Sequence, residues 1–233
     1  MMTINCKTCE KTNSILNTKC NSCGSILQGR VTNLNLFEVM WEIIEQPKKT
    51  FLKICLSEQK NYVYLLFSII GIGFLFTKFW LNGIGQYYPN LLNLLIYGMA
   101  LGPVVGVLLF FIFTRCSYFI SSKIFRTEVT QRNITAITAY SFVPILFSTI
   151  FILPTKLIVF GLYLFTIVPS PQYIKPEVFY ILSGLDVLCL LYTMILFFMG
   201  VFVSSNASIL KSIIITCTLL ILFAVIIFLF LIV

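Results

Sequence analysis

The sequence predicts an all-α membrane protein, in which a five-helix transmembrane bundle follows a small polar N-terminal head. Three observations predict this class. The composition is 59% hydrophobic and only 10% charged. The character of the chain changes abruptly near residue 60, and the chain closes with the uncharged run 212–233. A helix needs about 20 apolar residues to cross a bilayer core. The runs are continuous rather than alternating, which favours helices over barrel strands.

The head carries two C-x-x-C pairs, C-K-T-C and C-N-S-C-G, formed by Cys6, Cys9, Cys20 and Cys23. Each pair places two thiolates on one tight turn, and two such turns can form a closed four-Cys structural zinc site. Gly24 suits a turn with positive φ. We therefore predict a zinc ribbon over residues 1–30, with redox chemistry or an iron–sulfur cluster as the alternative. So small a head would take its folding energy from the metal.

Four further cysteines are scattered, and we interpret them as ordinary apolar residues: Cys55, Cys116, Cys189 and Cys217. The head is basic through Lys7, Lys11, Lys19 and Arg30, but it has no aromatic residue before Phe37. That absence disfavours nucleic-acid binding, so we expect either a protein partner or a purely structural role for the head.

Residues 31–60 are predicted to form an amphipathic pre-membrane helix and a basic linker. Within 33–46, one helical face is apolar, formed by Leu34, Phe37, Met40, Trp41 and Ile44. Pro47 ends this helix. The helix lies on the lipid interface in one interpretation. Its acidic polar face favours the other interpretation, a helix that docks a partner; this face is formed by Glu38, Glu42 and Glu45.

Residues 61–233 form the predicted membrane domain, with spans at 62–81, 91–114, 133–153, 178–203 and 212–231. The apolar segment 157–168 lies between Pro154 and Pro169 and is short for a span. We predict a re-entrant or interfacial helix there, and a six-span arrangement is the alternative.

The charge distribution predicts the orientation. With five spans, thirteen of the sixteen Lys and Arg residues fall on the side of the head. The positive-inside rule then places the N-terminus in the cytoplasm and the C-terminus on the outer side. The chain starts without an apolar leader, so we expect no cleaved signal peptide.

Three features of the predicted spans are candidate sites. Gly98, Gly102 and Gly106 recur every four residues and predict close helix packing. Asp186 is the only acidic residue within a predicted span, and a carboxylate in a membrane is a candidate functional group. A structural role for Asp186, such as pairing with Lys78 or Lys156, is the alternative. The chain has no histidine and no catalytic constellation in the spans, so we expect no enzyme.

Several segments, in their order, resemble the Yip domain family, whose eukaryotic members bind Rab GTPases. The resemblance covers 42–231 and begins with E-I-I-E-Q-P-K-K-T-F-L-K-I. It continues with the glycines of the second span and with A-Y-S-F-V-P, where Ala139, Tyr140 and Pro144 match. It ends with L-D-V-L-C-L-L-Y-T-M-I-L-F-F-M-G, which includes Tyr192 and Gly200, and with S-S-N-A-S-I-L-K-S. The insert 154–176 departs from the family pattern.

The resemblance implies a five-helix membrane domain in trafficking or membrane organisation, with no catalytic residues. A ribbon head on such a domain looks bacterial, which implies the bacterial inner membrane and removes the Rab partner. The first hypothesis is therefore a non-enzymatic scaffold or adaptor in the lipid bilayer, whose head and following helix recruit a protein. The alternative is a small transporter or channel with the glycine segment, Pro144 and Asp186 along its path. Either class is compatible with a homo-oligomer.

Overall fold

A computed structural model of the protein describes residues 3–29, 33–127 and 129–232. Within these residues, five helices are long and apolar enough to cross a membrane, which confirms the predicted helical class and span number. These candidate spans are Val63–Leu81, Leu91–Ile124, Val143–Phe165, Pro176–Ser205 and Ile209–Leu231. Arg30, one of the predicted basic residues of the head, lies outside the described residues.

The head begins with a short hairpin in which β1, Thr3–Asn5, pairs antiparallel with β2, Thr12–Ser14. Two helices follow, α1 at Leu36–Glu45 and α2 at Pro47–Leu56. Pro47 ends α1 as predicted and also starts α2, because its fixed φ and missing N–H suit the first turn of a helix.

The first two spans are joined by a short turn. Helix α3 covers Val63–Leu81, a 3₁₀ turn covers Ile84–Tyr87, and α4 covers Leu91–Phe119. A π-helical turn at Ile120–Ile124 extends α4. The second span is therefore longer than predicted and carries Arg115 within its helix.

The third span begins and ends further along the chain than predicted. The chain forms α5 at Gln131–Ser141 and α6 at Val143–Phe147, and then a π-helical turn at Ser148–Ile152. Helix α7, Leu153–Phe160, and a 3₁₀ turn, Gly161–Phe165, complete it.

Most of the segment 157–168 thus belongs to this span and does not form the separate helix that we predicted. Pro154 does not end the helix, because it lies in the first turn of α7, directly after the π-helical turn. In that turn the Leu153 N–H bonds to the Ser148 carbonyl, five residues back. The wider turn accommodates a proline ring that would clash in a regular α-helix.

A short helix α8, Pro171–Ile174, precedes the last two spans. These are α9 at Pro176–Ser205 and α10 at Ile209–Ile232.

The chain divides into two compact units. The first contains Met1–Val63, Thr114–Tyr140 and Leu196–Ile221. Most of helix α5 after its first turn is buried in it, and the Tyr140 hydroxyl donates to the Asn61 carbonyl over 3.0 Å. The Asn206 amide donates to the Ser14 hydroxyl over 3.0 Å. The head is therefore in direct contact with the turn between the fourth and fifth spans.

The second unit contains Tyr64–Phe113, Ser141–Ile195 and Leu222–Val233. Its core is aromatic and includes Phe76, Phe79 and Phe165. The Lys78 ammonium donates to the Phe230 carbonyl over 2.9 Å. The C-terminal ends of α3 and α10 therefore lie together, as expected for the first and last of five alternating spans.

Candidate metal centre and intramembrane charge pair

The hairpin brings the four predicted cysteines of the head together. Their sulfur atoms all lie within 4.8 Å of one another. The Cys6–Cys23 and Cys9–Cys20 sulfur distances are both 3.6 Å. Cys6 and Cys20 are buried, and Cys23 is exposed. The four thiols therefore converge on one point at the edge of the head.

Two similar turns hold these cysteines. In the first, the Glu10 N–H bonds to the Cys6 carbonyl over 2.9 Å, and in the second the Gly24 N–H bonds to the Cys20 carbonyl over 3.0 Å. Gly24 has a φ of 71°, which confirms the prediction, and Glu10 at the matching position has a φ of 58°. The first turn therefore carries a side chain in a conformation that favours glycine.

Hydrogen-bond donors surround the sulfur atoms. The Thr8 N–H points at the Cys6 sulfur and the Ser22 N–H at the Cys20 sulfur, each over 3.4 Å. The Ser25 hydroxyl lies 3.0 Å from the Cys6 sulfur. Donors of this kind stabilise thiolates, which are the form of cysteine that binds metal.

The electrostatics of the thiols follow from these contacts. The Ser25 hydroxyl and the N–H groups of Cys9 and Thr8 lower the pKa of Cys6 to about 5. The Lys11 amide also lowers the pKa of Cys9, but burial and the neighbouring thiols outweigh it and raise that pKa to about 12. Four thiolates this close repel one another, so the set is fully deprotonated only around a cation.

The sulfur positions fit a tetrahedral metal ion. With metal–sulfur bonds of about 2.3 Å, the sulfur atoms of a tetrahedral site lie about 3.8 Å apart. The observed spacings of 3.6 Å and at most 4.8 Å are close to this value. The four cysteines can therefore hold one metal ion, and they leave no coordination position open for a substrate.

The apolar residues of α1 do not form the single face that we predicted. Leu34, just before α1, is buried, as are Met40 and Ile43 within the helix. In contrast, Phe37 is 81% exposed and Trp41 is 63% exposed. The apolar surface of α1 is therefore wide enough for one side to pack inward while an aromatic side remains outside.

The acidic residues of α1 contact α2. The Lys53 ammonium lies 2.6 Å from a Glu38 oxygen and 3.0 Å from a Glu42 oxygen. The hydrogen bond and charge of Lys53 lower the pKa of Glu38, and the hydrogen bond to Glu38 raises the pKa of Lys53. Part of the predicted acidic face is thus used within the protein, which the sequence pattern did not reveal.

The predicted glycine face lies between α3 and α4. A Cβ on Gly102 would come within 2.6 Å of the Ile72 Cα, and one on Gly98 would overlap the Phe76 ring. Gly106 faces Gly71, so a Cβ on either residue would overlap the backbone of the other helix. These glycines of α4, together with Gly71 of α3, therefore leave no room for a Cβ between the two helices.

Asp186 makes two polar contacts. One of its oxygens accepts a hydrogen bond from Ser148 over 2.5 Å, and the other lies 2.5 Å from the Lys156 ammonium. Of the two cations considered from the sequence, Lys156 is therefore the partner. Helix α9 is about 45 Å long, and Asp186 lies about 15 Å from its N-terminal end. Ser148, thirty-eight residues away along the chain, has no sequence signal that marks it as a partner.

Pro144 is buried in the first turn of α6. Phe142, just before it, leaves helical geometry and separates α5 from α6. The structure gives Pro144 the position of a helix start, where its missing N–H costs little.

Comparison with known proteins gave no match to any family model, curated protein or solved structure.

Proposed function

We propose that the protein is a non-enzymatic membrane scaffold of the Yip type, whose zinc-binding head recruits a protein partner in the cytoplasm. The observation that carries the proposal is that the Asp186 carboxylate already has polar partners within the protein. Both of its oxygens have partners within the same unit, a hydroxyl and an ammonium. A carboxylate held in this way serves to stabilise helix packing, and it supports the scaffold over a transport path.

Zinc is the metal that we propose for the head. The donor set is four cysteine sulfur atoms whose spacing fits a tetrahedron, which is typical of structural zinc sites. The metal would fix both turns of the ribbon and would supply the folding energy that so small a core cannot.

The surface of the first unit supports a protein partner for the head. Ile26 of the ribbon is 78% exposed, and Phe37 and Trp41 of α1 are also exposed. These large apolar side chains lie outside the candidate spans and are exposed, so they are available to a partner. Aromatic residues contribute much of the binding energy of many interfaces. Since the Ser14–Asn206 contact fixes the head to the membrane domain, a partner bound there would be held at the bilayer.

The distribution of charge supports the proposed orientation. The first unit contains thirteen of the Lys and Arg residues, and the second contains only Lys78, Lys156 and Lys175. Under the positive-inside rule, the loops and head of the first unit face the cytoplasm. A bacterial inner membrane is the compartment that we propose.

Crosslinking in cells from the head, followed by mass spectrometry, tests the scaffold function. The variant Cys6→Ser/Cys9→Ser removes half of the metal ligands. The matched control, Cys116→Ser/Cys217→Ser, makes the same chemical change outside the metal site. We expect the first variant to lose both its zinc and a specific set of captured proteins, and the control to keep both. Capture of the same proteins by both variants would refute the proposal.

A further inference from the structure

An open cavity of about 430 Å³, with a mixed polar and apolar lining, lies within the first unit. Thr18 of the ribbon forms one wall, Ser57 and Lys60 after α2 form another, and Thr130 and Arg132 at the start of α5 form a third. Sites for small molecules usually have volumes of about 300–1,000 Å³. The cavity therefore has room for a small polar group and is built from three separate segments of the chain.

Two cations line this cavity, and backbone carbonyl groups hold them. The Lys60 ammonium donates to three carbonyls, of Ile54 over 2.6 Å, of Ser57 over 3.4 Å and of Cys55 over 3.5 Å. The Arg132 guanidinium donates to the Glu58 carbonyl over 3.0 Å. Within the described part of the chain, neither cation is paired with a carboxylate. The Arg132 guanidinium therefore retains donors for an anion in the cavity, and Lys60 contributes its positive charge.

The environment of these cations favours an anion. Burial lowers the pKa of Lys60, and the nearby positive charge of Arg132 lowers it further, while Cys55 opposes the shift. Glu58 also lines the cavity, which leaves the lining with one net positive charge. Thr130 and Arg132 lie at the positive N-terminal end of α5, which adds to the attraction for negative groups.

We propose that this cavity binds a phosphate ester through Lys60 and Arg132, the chemistry shared by the headgroup of an anionic phospholipid and by a soluble phosphate ester. The guanidinium of Arg132 can donate two parallel hydrogen bonds to two phosphate oxygens, and Lys60 supplies a positive point charge. Lys60 precedes the first span, which starts at Val63, so the cavity lies where lipid headgroups meet the protein.

The test uses the full chain in nanodiscs and has two arms. The lipid arm compares phosphatidylglycerol with phosphatidylcholine among the lipids that remain bound in native mass spectrometry. The soluble arm titrates glycerol 3-phosphate into phosphatidylcholine nanodiscs in a calorimeter. Preference for phosphatidylglycerol alone assigns a lipid headgroup, and binding of glycerol 3-phosphate assigns a soluble ester.

The variant Arg132→Gln should bind the preferred ligand about tenfold more weakly, because a charge-assisted hydrogen bond is lost. Arg132→Lys should retain part of the binding, which separates loss of charge from loss of fold. Lys123→Gln is the matched control. Lys123 is exposed and lies in the same unit outside the cavity wall, and this substitution also removes one positive charge. Equal binding by Arg132→Gln and the wild type, equal loss in Lys123→Gln, or no binding of either probe would overturn the proposal.

Discussion

Replacing Gly71 by alanine should force α3 and α4 apart. A Cβ at this position would overlap the Gly106 Cα and the Gly102 carbonyl oxygen. Both are backbone atoms, so no side-chain rotation relieves the overlap, and carbon atoms need about 3.5–4.0 Å. Overpacking of this kind costs about 1–3 kcal/mol, and a contact between two backbones belongs at the upper end.

The intrinsic helix preference of alanine acts in the opposite direction, by about 1 kcal/mol. We therefore expect Gly71→Ala to lower the free energy of unfolding by about 2 kcal/mol. Gly184 in α9 provides the matched control, because a Cβ there would meet no atom of another helix within 4 Å. Gly184→Ala should be neutral or stabilising by up to about 1 kcal/mol.

The assay is unfolding of the purified full chain by titration of a denaturing detergent into mixed micelles. Gly106→Ala, which introduces the same overlap from the other helix, should give a similar loss. The double variant should lose less than the sum of the two, since one separation of the helices relieves both overlaps. Equal stability of Gly71→Ala and Gly184→Ala would refute the close contact between α3 and α4.

Three further predictions concern the head and the charged pairs. Glu10→Gly should stabilise the zinc-loaded head by up to about 1 kcal/mol, because glycine adopts the positive φ of this position without strain. The variant should therefore lose zinc to a chelator more slowly than the wild type. Unchanged or faster loss would contradict this prediction. Asp186→Asn should lower the free energy of unfolding by about 3 kcal/mol, because it leaves the Lys156 ammonium without its carboxylate partner. Adding Lys156→Met to this variant should recover most of the loss. A double variant that is no more stable than Asp186→Asn would exclude the pair as the cause.

The contact between α1 and α2 should depend on pH. The Lys53–Glu38 pair lowers the pKa of the carboxyl and raises that of the ammonium. Its stabilisation is present between the ordinary pKa values of the two groups and is lost as pH falls through the lowered one or rises through the raised one. The protection of the α1 amides, which is their exchange rate relative to the intrinsic rate at the same pH, should therefore decrease in acid. A Lys53→Met variant should not show this decrease.

Features that depend only on residues close together along the chain could be predicted from the sequence. The two C-x-x-C turns bring their thiols together because each turn is local, and the positive φ at Gly24 follows from the same turn. The number of spans followed from length and hydropathy alone. The boundaries of the third span did not, because a π-helical turn accommodates Pro154 within a helix that the proline was expected to end.

The sequence by itself determined a five-span membrane protein with a four-cysteine head. Only the tertiary structure decided which apolar surfaces are buried. Phe37 and Met40 are both apolar residues of α1, but Met40 is buried against the protein and Phe37 is largely exposed. In a membrane span this ambiguity is greater, because lipid and protein both accept apolar side chains. The partners of Asp186 and Gly71 were likewise decided by contacts between distant segments, which no local pattern encodes.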